Sequence, residues 1–249
     1  MAQMEWAGRK VLVTGANRGI GRAIVLALAE LGAVVLATGR DTVALERVAQ
    51  EARGQVQTFA VDLAAPAGAA SVVDWVAARH GDIGGLINNA ALQQELWFPN
   101  GATSRAIETE ITVNLTAPSQ LVAGLLPLLG RHEAPFICNV TSALALTPKA
   151  SAPVYCATKA GLRSFTCALR YQVRRDMTHL LVNETVMPLV ATGMTEGRNV
   201  ATISPKAAAE ALIAGLGKGR DETWIGQTRA FRVIHRAAPG LAARILRDG

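Results

Sequence analysis

Cysteine, histidine and long apolar runs are all scarce in this 249-residue chain, and each shortage narrows what the protein can be. The three cysteines, Cys138, Cys156 and Cys167, show neither CxxC spacing nor an even count. That fits free, buried thiols in a reducing compartment, not a disulfide framework. The four histidines, His80, His132, His179 and His235, are scattered without metal-ligand spacing, so no metal is expected. No segment holds the roughly 20 uninterrupted apolar residues of a membrane span. Residues 1–10 lack a signal-type apolar core, and the expected location is cytoplasmic. The chain has no fixed-period repeat and no GxSxG nucleophile motif.

What is present points to a well-packed globule. Half of the residues are hydrophobic and 18% are charged, which excludes disorder on a large scale. The length fits one large α/β domain spanning 1–249, with two small domains as the alternative. A net charge of +6 raises the question of nucleic acid, but the excess is spread along the chain and no nucleic-acid partner is expected. Its one concentration lies in a C-terminal stretch near 229–249. There Arg229, Arg232, Arg236, Arg244 and Arg247 alternate with Phe231, Val233, Ile234, Leu241, Ile245 and Leu246. This pattern predicts a basic amphipathic helical tail with a solvated face.

The rest alternates strand and helix patterns. Strands are predicted over Lys10–Thr14, Ala33–Thr38, Val56–Val61, Leu86–Asn88, Phe136–Val140 and Leu180–Val186, with a short seventh over Thr223–Ile225. Helices are predicted over Ile20–Leu31, Val43–Ala52, Ala70–Arg79, Arg105–Leu129, Val154–Arg174 and Pro205–Gly215. Such alternation implies right-handed βαβ units and a single doubly wound parallel sheet of Rossmann type, with helices on both faces.

Between the first strand and the first helix stands Thr14-Gly15-Ala16-Asn17-Arg18-Gly19-Ile20-Gly21. Glycines there allow a tight turn and close approach of the helix N-terminus to a pyrophosphate, whose charge the free N–H groups favour. The spacing is TGxxxGxG instead of GxGxxG. Further on, Tyr155 and Lys159 are four apart in a helical pattern and share a face. A free tyrosine titrates near about 10; an ammonium beside it favours the phenolate and so makes it a usable acid–base group.

These two motifs together resemble the short-chain dehydrogenase/reductase family, with the likeness running from Lys10 to about Thr192. The resemblance implies a cofactor loop contributed by Gly15, Asn17, Arg18, Gly19, Ile20 and Gly21. It makes Asp62-Leu63 the adenine-contacting pair and Asn88-Asn89-Ala90 the counterpart of the family's NNAG motif, with Ala91 in place of the glycine. Asn89 thereby joins the cofactor-binding residues. Tyr155 and Lys159 become the catalytic pair, and Ser142, thirteen positions before Tyr155, holds the substrate oxygen where charge develops. Its neighbour Thr141 is a second hydroxyl. Asn114 matches the family's helical asparagine, which helps hold a water leading to the lysine. Homodimers or homotetramers built partly on the helix of Tyr155 and Lys159 are also implied, with Leu162, Phe165 and Leu169 as material for core and interface.

Cofactor preference has a physical basis in the residues. An NAD enzyme needs a carboxylate at the end of the second strand for the ribose hydroxyls. Here that place holds Thr38, in Ala37-Thr38-Gly39-Arg40. Arg40 and Arg18 offer forked donors to a 2′-phosphate, so NADP(H) is expected; Asp41 beside Arg40 leaves room for dual specificity. The likeness frays after the sixth strand, where Pro188-Leu189 replaces a Pro-Gly pair. Thr192 still matches the threonine that contacts the nicotinamide. Substrate choice is expected in loops near 93–102 and 189–204, the second short enough to leave an open pocket. The expected reaction is hydride transfer between NADP(H) and a small carbonyl or alcohol substrate. A non-catalytic NADP-binding sensor or scaffold, and an epimerase or dehydratase on the same fold, are the alternatives.

Overall fold

Strand β1 (Lys10–Thr14) sends Val11 and Val13 to one side and Leu12 to the other, and β2 (Val34–Gly39) repeats this with Val35, Ala37 and Leu36. Both sides are therefore apolar and both must be covered, which only helices on two faces can do. The computed structural model describes residues 4–188, 190 and 203–247. It adds β3 (Val56–Ala60), β4 (Gly85–Asn88), β5 (Phe136–Ser142), β6 (Leu181–Met187) and β7 (Glu222–Trp224). All pair in parallel, in the order β3-β2-β1-β4-β5-β6-β7. The chain reverses its winding between β1 and β4, so a crevice opens at the carboxyl ends of those strands.

Helices α1 (Gly19–Glu30), α2 (Thr42–Glu51) and α7 (Pro205–Gly217) cover one face. Helices α3 (Gly68–Arg79), α5 (Ala117–Leu129) and α6 (Pro153–Asp176) cover the other face, and α4 (Ser104–Ile111) packs against α6. Leu121, Leu125 and Leu129 of α5 are wholly buried there with Leu12, Val72 and Ile137. The stretch 104–129 has mean hydropathy 1.3 and the length of a membrane span, but this inward row makes α5 a helix of the core.

The single helix predicted over Arg105–Leu129 is in fact two, joined by a π-helical turn at Thr112–Thr116. Pro118 explains the break: it has no N–H for the carbonyl of Asn114 four residues back, so the α-helical ladder cannot run through. Other boundaries move by at most two residues. The larger correction concerns the C-terminus. The amphipathic helical tail is not one helix but two, α8 (Thr228–Ala237) and α9 (Pro239–Arg247), and its apolar side folds back onto the crevice. Phe231 is 8% exposed and Ala242 is buried. The Arg247 carbonyl accepts the Ala150 N–H at 2.9 Å, and the Thr147 hydroxyl meets His235 Nδ1 at 3.2 Å.

Candidate active site

The crevice is a cleft of about 1080 Å³ reaching from the β1–α1 turn to the start of α6. Gly15 and Gly19 take φ of 66° and 57°, a left-handed geometry that side-chain-bearing residues resist. Gly21 is required for a different reason. A Cβ there would sit 2.0 Å from the Gly15 carbonyl oxygen and 2.6 Å from Asn89 Nδ2. The Asn89 amide donates to the Thr14 carbonyl at 2.9 Å, and the Thr14 hydroxyl accepts the N–H groups of Asn89 and Ala90. Asn89 thus locks the turn while it lines the cleft. Helix α1 starts at this turn with no side-chain cap and no acid in its first turn. Its free N–H groups form a cradle fit for a pyrophosphate.

Thr38 is fully buried and lines the cleft with Gly39, Arg40, Asp62 and Leu63. Arg18 and Arg40 are exposed at this end. Asp41, which might have served a ribose, caps α2 by accepting the Ala44 N–H at 2.9 Å. Asp62 accepts the Ala64 N–H, which shapes the turn after β3. Asn17 lies over Gly39, and a Cβ on Gly39 would come within 2.7 Å of its Oδ1. The residue pattern alone gave no sign of that contact.

At the other end, Tyr155 and Lys159 come from the first turns of α6, beside Ser142 at the end of β5. All three line the cleft. Lys159 Nζ donates to the Val140 carbonyl at 2.8 Å and lies 5.7 Å from the centre of the Tyr155 ring. Burial pulls the Lys159 ammonium down to about 8. The hydroxyl of Thr141 donates to buried Glu184 at 2.6 Å, so that group is engaged. Ser142 Oγ accepts the Leu144 N–H at 3.2 Å and keeps its own hydrogen to give.

Asn114 is wholly buried. Its side chain exchanges two 2.8 Å hydrogen bonds with the backbone of Leu92 and donates to the Thr158 hydroxyl at 3.1 Å. The Thr158 hydroxyl in turn donates to the Tyr155 carbonyl. What Asn114 can offer a water is therefore its backbone carbonyl, the one Pro118 leaves without an α-helical donor.

Of the two expected substrate loops, the first supplies Gln93 to the cleft. Thr192 and most of the second lie outside the described residues; Val190, which bridges to Ile203, belongs to the cleft wall. Sequence reasoning missed Lys149 and the C-terminal contributors Phe231, Ile245 and Leu246. The apolar side of the tail was the available signal.

Comparison with known proteins follows the same outline. A family model described as short chain dehydrogenase matches residues 9–202. An uncharacterised oxidoreductase, DltE, of Bacillus subtilis (strain 168) is 32% identical over 94% of each chain. L-xylulose reductase of Mesocricetus auratus is 38% identical over 64% of each. A short chain dehydrogenase of Burkholderia cenocepacia J2315, solved in complex with NADP, superposes with a TM-score of 0.85 at 27% identity, covering 98% of this chain and 99% of that one. Other solved structures of this fold hold NADPH or NAD.

Proposed function

This chain belongs to the short-chain dehydrogenase family of oxidoreductases, and we propose that it is an NADP(H)-dependent carbonyl reductase or alcohol dehydrogenase. The observation that carries the reading is one cleft with two chemical ends. One end has the uncapped start of α1 with Arg18 and Arg40; the other has Ser142, Tyr155 and buried Lys159. The cradle that a Cβ at Gly21 would fill fits a dinucleotide. Gly15, Asn17, Gly19 and Ile20 would surround the pyrophosphate, with Asp62, Leu63 and Asn89 toward the adenosine. Thr192 is proposed for the nicotinamide side on the resemblance alone. Arg40 and Arg18 would meet the 2′-phosphate, because Thr38 offers no carboxylate and Asp41 is engaged with α2. The NADP held by the Burkholderia cenocepacia relative supports this choice.

When bound, the reduced cofactor supplies a hydride to the carbonyl carbon. Ser142 donates a hydrogen bond to the carbonyl oxygen, which strengthens as charge gathers there. Tyr155 gives that oxygen its proton, and the Lys159 ammonium stabilises the phenolate left behind. With a titration near 8, Lys159 is mostly charged at neutral pH. The Asn114 carbonyl would serve as a station for a water that returns the proton. In alcohol oxidation the same groups act in reverse.

The test follows NADPH absorbance against a panel of ketones, aldehydes and quinones, with Tyr155→Phe as control. Loss of about 10²–10⁴-fold in turnover with cofactor binding retained is the expected result. A mutant within threefold of wild type, or a wild type that binds NADPH and turns over nothing, leaves a sensor or an epimerase as the better reading. We further propose a cytoplasmic homodimer or homotetramer using α6, where Tyr171 stands exposed. Light scattering that finds only monomer at micromolar concentration would refute that assembly.

A further inference from the structure

Nine large apolar side chains stand exposed among the described residues, and five of them gather where the cleft opens: Trp97, Phe98, Val233, Leu241 and Ile245. Single apolar side chains on a surface are ordinary, whereas a cluster marks a contact site. Ile245 lines the cleft while nearly half of it faces outward, and Leu241 lies one turn before it on the same face of α9. The turn at Trp97 and Phe98 reaches the same rim from the other side. The Leu96 N–H donates to the Ser151 carbonyl at 3.1 Å, and the adjoining Ala150 N–H donates to Arg247 at the end of α9.

Positive charge frames this patch. Five arginines and no acid occur from Thr228 to Arg247. Arg229 donates to the Trp224 carbonyl and Arg232 pairs with Glu222, so these two serve the fold. Arg236 and Arg244 are exposed and form no ion pair among the described residues. Arg244 stands three residues after Leu241, at the edge of the apolar stripe of α9. Glu95, the acid closest to Trp97 in sequence, lies 4.0 Å from Lys149 Nζ, and the rim keeps its positive balance.

We propose that α8, α9 and the turn at Trp97 and Phe98 form a docking surface for an anionic lipid bilayer, with the mouth of the cleft against it. A second copy seated here about a two-fold axis would set these arginines against their own counterparts, and like charges oppose that pairing. A nucleic acid would meet the arginines but leave the protruding apolar side chains in water. An anionic bilayer accepts both kinds of group. Its headgroups take the guanidinium charges, and the boundary below them takes the tryptophan, phenylalanine and leucine side chains. Because Ile245 belongs to the patch and to the cleft wall, a docked molecule opens its cleft toward the lipid.

The experiment is co-flotation of the full chain with vesicles of phosphatidylcholine, alone or with about 30% phosphatidylglycerol. Wild type should bind the anionic vesicles about tenfold or more tightly than the neutral ones. Raising salt from about 0.05 M to about 0.5 M should weaken that binding without abolishing it, since the apolar contacts are not screened. Arg236→Gln combined with Arg244→Gln should weaken it about ten- to thirtyfold at low salt. Trp97→Ser combined with Leu241→Ser should weaken it about tenfold and leave a remainder that salt removes. Arg131→Gln combined with Lys218→Gln takes away the same charge from exposed positions at the opposite end of the sheet, where β5 and β7 begin, and should change little. Circular dichroism holds all variants to equal folded content. A wild type that ignores anionic vesicles, or binds neutral ones equally well, overturns the proposal. A control pair that loses as much as the Arg236 and Arg244 pair assigns the binding to net charge, and the proposal fails. It fails also if the Trp97 and Leu241 pair binds like wild type. Light scattering in which that same pair loses an oligomer, while wild type does not float, gives the patch to a second copy instead.

Discussion

Replacing Lys159 by methionine should remove from the unliganded protein a stability gain that the lysine contributes as pH rises through a defined range. Burial lowers the lysine from 10.5 to about 8, and unfolding restores the ordinary value. Between those two values this lysine is more protonated in the unfolded chain than in the folded one, so its own contribution to wild-type stability rises with pH across that window. Below about 8 the penalty for the buried charge is fully present, and above about 10.5 it has vanished. A shift of roughly 2.5 units at about 1.4 kcal/mol each amounts to about 3 kcal/mol. Methionine also forfeits the hydrogen bond to the Val140 carbonyl, at a cost of about 1–3 kcal/mol. The two effects oppose each other and nearly cancel at neutral pH. The slope separates them, because the lost hydrogen bond does not depend on pH there. Urea unfolding at fixed protein concentration, followed by tryptophan fluorescence from about pH 7 to pH 10.5, measures both variants. Tyrosines and cysteines other than the partner Tyr155 titrate alike in the two. Parallel stability curves would refute a desolvated Lys159, whatever the mutant's activity.

Three further outcomes are expected. Arg40→Ala should weaken NADPH about ten- to a hundredfold, the equivalent of about 1.5–3 kcal/mol for a charged hydrogen bond, and leave NADH nearly unchanged; calorimetry showing equal weakening of both would assign Arg40 to the adenosine pocket generally. Ser142→Ala should cut turnover about 10²–10³-fold with a minor stability loss from the Leu144 N–H it caps; a change in KM alone would make it a ground-state contact. Gly21→Ala drives a Cβ against the Gly15 carbonyl, so NADPH affinity should fall more than tenfold and stability by about 1–3 kcal/mol; unchanged cofactor titration would mean the turn yields more easily than its packing suggests.

The sheet was legible because its signals are local. The short β-branched apolar runs of β1 and β2 and the glycine turn before α1 each depend on a few adjacent residues, and a parallel sheet has few ways to join them. The family motifs located the cleft's residues at both ends for the same reason. Pro118 was also legible in principle: a missing N–H breaks a helix wherever it occurs, yet the apolar run across 105–129 concealed it. Tertiary structure alone decided three things. Asp41 reads as a competitor for the ribose until its carboxylate is seen on the N–H of Ala44. Thr141 and Ser142 are adjacent hydroxyls in sequence, and only Glu184, supplied by the next strand, engages one and leaves the other its hydrogen to give. The arginine-rich C-terminus has the composition of an amphipathic helical tail with a solvated face. Which of its sides is covered depends on where the chain returns, and the Ala150–Arg247 hydrogen bond, 97 residues apart in sequence, turns Ile245 and Leu246 into a wall of the cleft beside Lys149. Contacts of that range carry no periodicity and no motif, because their energy comes from a partner that folding alone brings near.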